Sequence, residues 1–141
     1  DAAEQVFGGL GTVLFHGLAM KPGKPTIAAS IGGIPVLGLP GHPVAAYFVF
    51  QLLVRPLLNR MQGAAETPLT ETATLSLAIP SNHGREEYVP VRLMDGQAVP
   101  MMTKSGLIST LARADGYVRI PRDCEGLGRG DRVTVYRWEA I

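Results

Sequence analysis

The sequence predicts a mixed α/β segment followed by an all-β segment, the latter a small barrel or a sandwich. Three observations lead to this prediction. Residues 2–61 alternate helical stretches with short apolar runs of strand length. Residues 72–138 hold about five short strand patterns, each bounded by glycine or proline. Between the two parts, QGAAETP (residues 62–68) has the composition of a linker.

The first half begins with AAEQVFGGL (residues 2–10), where the apolar spacing and the following glycine predict a short helix. TVLFHGLAM (12–20) is an apolar run of strand length. TIAASI (26–31) and PVLGL (35–39) lie on either side of Gly32-Gly33. Two such runs across a Gly-Gly pair predict a β-hairpin.

A longer helix is predicted within LPGHPVAAYFVFQLLVRPLLNRM (residues 39–61). Pro43 suits the first helical turn, where its missing N–H costs nothing, whereas His42 is a poor N-cap. Residues 44–50 are apolar on nearly every face, which predicts a buried helix of the core. Pro56 is expected to kink or end this helix.

The second half is predicted to consist of strands. Strict alternation favours a half-buried strand, and Asp95-Gly96 between two apolar runs is a strong hairpin signal. The strand patterns are TATLSLAI (72–79), EYVPVRL (87–93), QAVPMM (97–102), GYVRIP (116–121) and DRVTVYRW (131–138).

Composition excludes several classes of protein. The chain has 141 residues, of which 46% are hydrophobic and 18% charged, so it can bury a core in one domain or two small ones. A net charge of +1 and the absence of a long basic run argue against a nucleic-acid partner. The apolar run after residue 43 is well short of the roughly 20 residues that span a membrane, so no membrane association is expected.

The termini and the cysteine content predict a cytoplasmic location. The single cysteine, Cys124, allows no internal disulfide and suits a reducing compartment. The chain opens DAAEQVF, without the basic segment of a signal peptide, and its start at Asp1 suggests a fragment of something longer.

Metal and nucleophile patterns are weak. His16, His42 and His83 lie far apart with no partner at the spacing of zinc ligands, so they are interpreted as isolated polar side chains. Cys124 has no histidine nearby in sequence and is interpreted as a structural thiol. No G-x-S-x-G elbow is present for Ser-His-Asp catalysis.

Three short segments offer chemistry for binding an anion. KPGKP (21–25) places two lysines on a backbone that proline restricts. LPGHP (39–43) precedes a helix N-terminus, and KSGLIS (104–109) is a lysine–serine–glycine turn. Each segment alone is better explained as a turn or a helix cap. Together they indicate a polyanionic ligand.

The same segments carry a family resemblance over essentially the whole chain. MKPGKP followed by GIPVLGLPGHPVAAYFVFQLLVRPLL resembles the carboxyl-terminal half of molybdopterin molybdenumtransferase, the MoeA and gephyrin E-domain family. GREEYVPV, SGLISTLARADGYVRIP and GRGDRVTV follow in the family's order.

The resemblance implies an enzyme of molybdenum cofactor biosynthesis. The family inserts molybdate into adenylylated molybdopterin and releases AMP, with a divalent metal that is usually Mg²⁺, and the full-length protein is expected to be a homodimer. By this template residues 1–62 are the C-terminal part of an α/β molybdopterin-binding-like domain. Residues 63–67 are a linker, and residues 68–141 form a β-barrel domain. The fragment alone is expected to be inactive, since the family builds its site from further domains as well.

The resemblance also assigns site residues. The two lysines of the loop and the first aspartate are implied to be catalytic, with the aspartate also a metal ligand: Lys21, Lys24 and Asp1. Residues implied to bind substrate are Lys21, Gly23, Lys24, Pro25, Pro40, Gly41, Arg85 and Ser105.

The sequence departs from the family pattern at four positions. His42 replaces an asparagine and Ala45 a serine in the turn before the helix, while Pro90 and Gly17 stand where other members have basic residues. These departures imply fewer positive charges, as in a divergent paralogue or a weaker site.

Two other functional classes remain open from the sequence. The same family includes a scaffold that binds a receptor peptide, so the fragment could be a non-catalytic interaction module. Retention of the predicted lysines, aspartate, arginine and serine together favours the enzyme. An adenylyltransferase or a nucleotide pyrophosphatase sharing the α/β domain is disfavoured, because those proteins typically lack the second, β-barrel part.

Overall fold

The computed structural model of the protein describes residues 2–102 and 108–138. The chain divides into two compact units, Asp1–Ala65 and Glu66–Ile141. The first unit combines helices with a small sheet, and the second contains a closed β-barrel. The predicted fold class is therefore confirmed, and of the two architectures left open for the second half the barrel is the one observed.

The first unit contains a three-stranded antiparallel sheet and one helix packed against it. Its elements in chain order are α1 (Ala2–Leu10), β1 (Thr12–His16), β2 (Met20–Lys21), β3 (Ile27–Ile31) and β4 (Ile34–Gly38). The sheet order is β1-β3-β4. Gly32 and Gly33 have φ values of 58° and 79°, the left-handed pair that a two-residue type I′ hairpin requires. The predicted hairpin is confirmed.

Helix α1 lies against one face of this sheet through few contacts. A Cβ added at Gly38 would lie 2.4 Å from Ile27 Cγ2 and 3.4 Å from Phe7 Cε2, so the absence of a side chain at Gly38 lets helix and sheet approach closely. Glu4 Oε2 also lies 2.9 Å from His16 Nδ1 on β1. All described α1 side chains remain at least partly exposed.

The predicted long helix is present but is not regular. It consists of α2 (Pro43–Val49), a π-helical turn (Phe50–Val54) and α3 (Arg55–Met61). The Arg55 N–H donates to the carbonyl of Phe50, five residues earlier, as in a π-turn. Of the two outcomes predicted for Pro56, a kink or an end, the helix does not end there: a π-helical turn directly before Pro56 interrupts the regular α-helix, and the chain continues into α3.

Burial of this helix is confined to its first part. Val44, Ala45, Phe48 and Val49 of α2 are buried, as expected for a core helix. In the second part, by contrast, Met61 is 64% exposed. Burial was predicted as far as Phe50, and it holds for these four residues but not for Phe50 itself, which is 38% exposed.

The second unit is a barrel of five strands within its described residues. Its elements are β5 (Thr70–Leu75), β6 (Ile79–Pro80), β7 (Glu86–Met94), β8 (Gln97–Pro100), α4 (Ile108–Arg113), β9 (Gly116–Ile120), β10 (Gly126–Leu127) and β11 (Arg132–Arg137). The strand order is β7-β8-β5-β11-β9, and pairing of β7 with β9 closes the barrel. The β5–β8 pair is parallel and the other barrel pairs are antiparallel.

Alternation along the strands fills the barrel. The inward positions form one apolar cluster: Ala73, Leu75, Ile79, Val89, Val91, Ala98, Val118, Ile120, Val133 and Val135. Asp95 and Gly96 have φ values of 49° and 75°, which confirms the predicted hairpin between β7 and β8. The segment predicted as one strand over 72–79 is instead two strands, with a bend at Ser76 and Leu77.

No helix among residues 2–102 and 108–138 is long and apolar enough to cross a membrane.

Candidate functional site: a braced lysine loop

The two predicted site lysines lie on one loop, which we call the lysine loop (residues 21–25). Strand β2 ends at Lys21, and the following four residues form a turn. Lys21 and Lys24 are exposed, while Gly23 between them is buried. The loop therefore combines two exposed lysines with a buried backbone position between them.

Hydrogen bonds brace the lysine loop at three points. The Thr26 hydroxyl donates to the Gly23 carbonyl at 2.7 Å. The Leu18 N–H donates to the Lys24 carbonyl at 2.9 Å, and the Gly17 N–H donates to the Thr26 carbonyl at 2.7 Å. The chain on both sides of the turn is thus tied together, which limits the conformational freedom that the lysines lose on binding an anion.

Packing under the loop requires glycine at position 23. Gly23 has φ +123°, a conformation that residues with a side chain rarely adopt. A Cβ there would lie 2.9 Å from Val49 Cγ2 of α2 and 3.1 Å from Met20 Cε. The loop therefore rests directly on the buried part of α2.

The turn before α2 is held differently. Pro40 is buried and Gly41 is exposed, and a Cβ added at Gly41 would meet no described atom within 4 Å. His42 is the N-cap with φ −79° and ψ 123°, and its side chain makes no capping bond to the described residues, which confirms that it is a poor cap. Ala45, where the family has serine, is buried in α2.

Arg85 belongs to the second unit, where it lies exposed just before β7. The Gly84 N–H donates to the Arg122 carbonyl at 2.8 Å, which holds the turn that carries Arg85. One residue further, Glu86 pairs with Arg119 and accepts a 2.6 Å hydrogen bond from the Tyr88 hydroxyl. The arginine thus projects from an ordered turn beside a charged cluster.

The remaining predicted site residues are not described by the structure. Asp1 and Ser105 lie outside the described residues, as does most of the KSGLIS segment. The structure brings Lys21, Gly23, Lys24 and Pro25 together in one loop and packs that loop on α2.

Metal coordination finds no support in the described residues. They contain no group of three or more His, Cys, Asp and Glu side chains that could hold a metal ion. His16 and His83 lie next to Glu4 and Glu125 respectively, at 2.9 and 3.2 Å. Cys124 is partly buried against the barrel core, in keeping with its interpretation as a structural thiol.

An aromatic cluster on the barrel was not recognised from the sequence. Tyr117 stacks on Tyr136 with ring centroids 5.2 Å apart, and it also contacts Trp138 at 5.1 Å and Tyr88 at 5.7 Å. These residues come from β7, β9 and the end of the chain's last described strand. The available signal was alternation, since each tyrosine stands next to an inward-facing valine: Tyr88 beside Val89, Tyr117 beside Val118 and Tyr136 beside Val135.

Burial in this cluster shifts the acid–base properties of its members. Burial and the neighbouring Tyr136 raise the pKa of Tyr117 to about 12. Burial and the hydrogen bond to Glu86 raise the pKa of Tyr88 above its ordinary range. The hydrogen bonds that Glu86 accepts from Arg119 and Tyr88 lower the pKa of the Glu86 carboxyl.

Family models match both units of the chain. The model described as a probable molybdopterin binding domain matches residues 1–60. The model described as the MoeA C-terminal region, domain IV, matches residues 72–138.

Curated relatives carry matching names. A putative molybdopterin biosynthesis protein of Methanocaldococcus jannaschii is 35% identical over 128 residues, which cover 90% of this chain and 30% of that protein. Molybdopterin molybdenumtransferase 2 of Mycobacterium tuberculosis is 29% identical over 134 residues, covering 92% of this chain and 33% of that protein. The chain thus spans about a third of the length of these relatives.

Solved structures show the same relationship. The molybdopterin biosynthesis MoeA protein from Pyrococcus horikoshii matches with a TM-score of 0.86 at 39% identity, covering 97% of this chain and 34% of that one. A molybdenum cofactor biosynthesis protein from Pyrococcus furiosus matches with a TM-score of 0.75 at 35% identity, covering 91% of this chain and 47% of that one. The two family models, these relatives and these structures agree, and the chain belongs to the MoeA family, in which it corresponds to the region that ends in domain IV.

Proposed function

We propose that this chain contributes the lysine loop and the domain IV residues to the active site of a molybdopterin molybdenumtransferase. The full-length enzyme inserts molybdate into adenylylated molybdopterin and releases AMP. The observation that carries the proposal is the lysine loop, in which Lys21 and Lys24 are exposed on a backbone braced by Thr26. The names of the relatives support the choice of substrate class.

The lysines hold the oxyanion in this proposal. Molybdate carries two negative charges, and the ammonium groups of Lys21 and Lys24 supply charge-assisted hydrogen bonds that are stronger than neutral ones. A braced loop lowers the entropy lost when the two side chains converge on one ligand. Gly23 and Pro25, the other predicted substrate-binding residues of the loop, also keep it in shape.

Four other residues are proposed to bind the substrate: Pro40, Gly41, Arg85 and Ser105. Pro40 and Gly41 form the turn whose open face admits a ligand close to the backbone, as the space around Gly41 allows. Arg85 and Ser105 belong to the region that matches domain IV. Since the family assembles its site from several domains, the 141-residue chain alone is proposed to be inactive.

Magnesium does not fit the described residues, which provide no cluster of candidate ligands. A proposed magnesium site rests on Asp1 and on ligands beyond the described residues. We also propose that the full-length protein is a cytoplasmic homodimer, as in the family that the motifs resemble.

The test is molybdate-dependent release of AMP. The protein at the full length of its family is incubated with adenylylated molybdopterin, with and without molybdate, and AMP is quantified by chromatography. The expected result is AMP release that rises with molybdate, together with no release by the 141-residue chain under the same conditions. A full-length protein that binds the substrate but releases no AMP at any molybdate concentration would contradict the proposal.

A further inference from the structure

The brace of the lysine loop depends on one side chain that no ligand can reach. Thr26 is 0% exposed, although it directly follows the exposed Pro25. Its hydroxyl donates a hydrogen bond to the Gly23 carbonyl at 2.7 Å. The Thr26 side chain therefore holds the loop from inside the protein and is not accessible to solvent.

The bond from Thr26 controls a peptide unit between the two lysines. The Gly23 carbonyl belongs to the same planar peptide as the Lys24 N–H. Holding that carbonyl therefore fixes the direction in which Lys24 leaves the turn relative to Lys21. Glycine at position 23 would otherwise leave this peptide the most freedom to rotate.

The other two braces do not replace this bond. The bonds from Leu18 to Lys24 and from Gly17 to Thr26 are formed by backbone groups alone. They persist when the Thr26 side chain is changed, so they keep the loop attached to the unit. Neither of them bonds to the Gly23 carbonyl, which the Thr26 hydroxyl holds.

We propose that Thr26 is a positioning residue of the molybdate site, which holds Lys21 and Lys24 in register through the Gly23 carbonyl. This inference rests on the proposed function, since it assigns the geometry of that same site. Thr26 acts through the lysines and does not touch the substrate, and so it governs affinity for molybdate more than the rate at saturation.

The experiment compares Thr26→Val, which keeps the shape and removes the donor, with Thr26→Ser, which keeps the donor. The KM for molybdate and kcat are measured in the full-length enzyme by AMP release. Loss of a neutral hydrogen bond is expected to raise the KM of Thr26→Val roughly 3- to 10-fold. The KM of Thr26→Ser for molybdate is expected to stay within about 2-fold of the wild-type value. In both variants kcat at saturating molybdate should change little.

A second measurement reports the loop itself. Amide hydrogen exchange at Lys24 is measured in the 141-residue chain, where faster exchange in Thr26→Val than in Thr26→Ser is expected if the peptide after Gly23 becomes mobile. Should Thr26→Val fail to fold, Thr26→Ala, which also lacks the donor, replaces it. A wild-type KM in whichever of these two variants folds overturns the inference.

Failure of this inference differs from failure of the proposed function. If Lys21→Gln and Lys24→Gln keep a wild-type KM, the loop is not the molybdate site and the proposed function fails. If the lysine variants lose molybdate use while Thr26→Val keeps it, the site stands and Thr26 has no positioning role. An equal loss of kcat and stability in Thr26→Ser and Thr26→Val would likewise overturn it, because the hydroxyl would then be irrelevant.

Discussion

At the scale of single residues, the charge of the two loop lysines is separable from their bulk. Both lysines are exposed, so replacement by glutamine keeps most of the stem and removes the ammonium group. A hydrogen bond to a charged group contributes on the order of 1.5–3 kcal/mol, so molybdate use is expected to fall roughly 10- to 150-fold in Lys21→Gln or Lys24→Gln. The melting temperature should barely change, since exposed substitutions usually cost less than about 0.5 kcal/mol.

Arg60→Gln provides the matched control for the lysine variants. Arg60 is an exposed cation of the same unit, on α3 and outside the lysine loop. The KM for molybdate and the melting temperature are measured for all three variants. A loss of molybdate use in Arg60→Gln as large as in the lysine variants would attribute the effect to net charge and not to the loop.

Gly23 and Gly41 should respond differently to replacement by alanine, because only Gly23 has close neighbours where a Cβ would lie. Gly23→Ala forces a side chain into a positive-φ conformation and against Val49, so it should destabilise the first unit by about 1–3 kcal/mol. Gly41→Ala meets open space and should change stability by less than about 0.5 kcal/mol. Urea unfolding of both variants checks the contrast, and equal destabilisation would refute it. A Gly41→Ala enzyme that folds normally but uses substrate poorly would support a ligand lying against that backbone.

At the scale of elements, local signals in the sequence were sufficient wherever one dipeptide or one alternation decides the structure. Gly32-Gly33 and Asp95-Gly96 both predicted hairpins because each supplies two positive-φ positions. The π-helical turn at residues 50–54 has no such signal, since it depends on how the chain accommodates Pro56 within a packed helix. The bend that splits residues 72–79 was missed for a similar reason, because alternation continues across it while the hydrogen-bonding partners change.

For the candidate site, the sequence indicated the lysine turn but not the contacts that form only on folding. Two lysines on a proline-restricted turn indicated an anion site, which stays a prediction, while the structure shows a turn held by hydrogen bonds. Thr26 was not singled out, because its role depends on a hydrogen bond that folding creates. The aromatic cluster around Tyr117 was missed because its members are separated by many residues and meet only when the strands pair.

The barrel strands that carry this cluster give a prediction on pH. The folded pKa of Tyr117 is about 12, above the value near 10 expected for an unfolded chain. A raised pKa means that the associated stability is present below pH 10 and is lost as the pH rises from about 10 to 12. The free energy of unfolding of the second unit should therefore fall over this range, and Tyr117→Phe should reduce the slope.

Urea unfolding at pH 9 and pH 11 measures that slope, with phenolate absorbance as an independent titration. Tyr47→Phe is the control, because Tyr47 lies on α2 in the first unit. Its slope should match that of wild type. A Tyr117→Phe slope equal to wild type would show that the buried phenol does not contribute to the alkaline transition.

At the scale of the whole molecule, the second unit has the features of an independent folding unit. Its apolar cluster consists entirely of residues from β5 to β11, and the pairing of β7 with β9 closes the barrel. Closure removes exposed strand edges, which is the main hazard for a small β-protein in isolation. Residues 66–141 expressed alone are therefore expected to form a folded barrel, although so small a domain has a limited margin of stability.

Gly116→Ala tests whether the barrel folds alone, because β9 and β11 pack closely at this glycine. A Cβ at Gly116 would lie 2.2 Å from the Tyr136 carbonyl oxygen, so Gly116→Ala must separate β9 from β11 and open the barrel. Circular dichroism should show a cooperative thermal transition for residues 66–141 and a loss of that transition for Gly116→Ala. Arg92→Gln, an exposed change on β7, should melt like the parent. A broad, non-cooperative melt of the parent segment would mean that the barrel depends on the first unit for its fold, since strand closure within the second unit would then be insufficient to hold it.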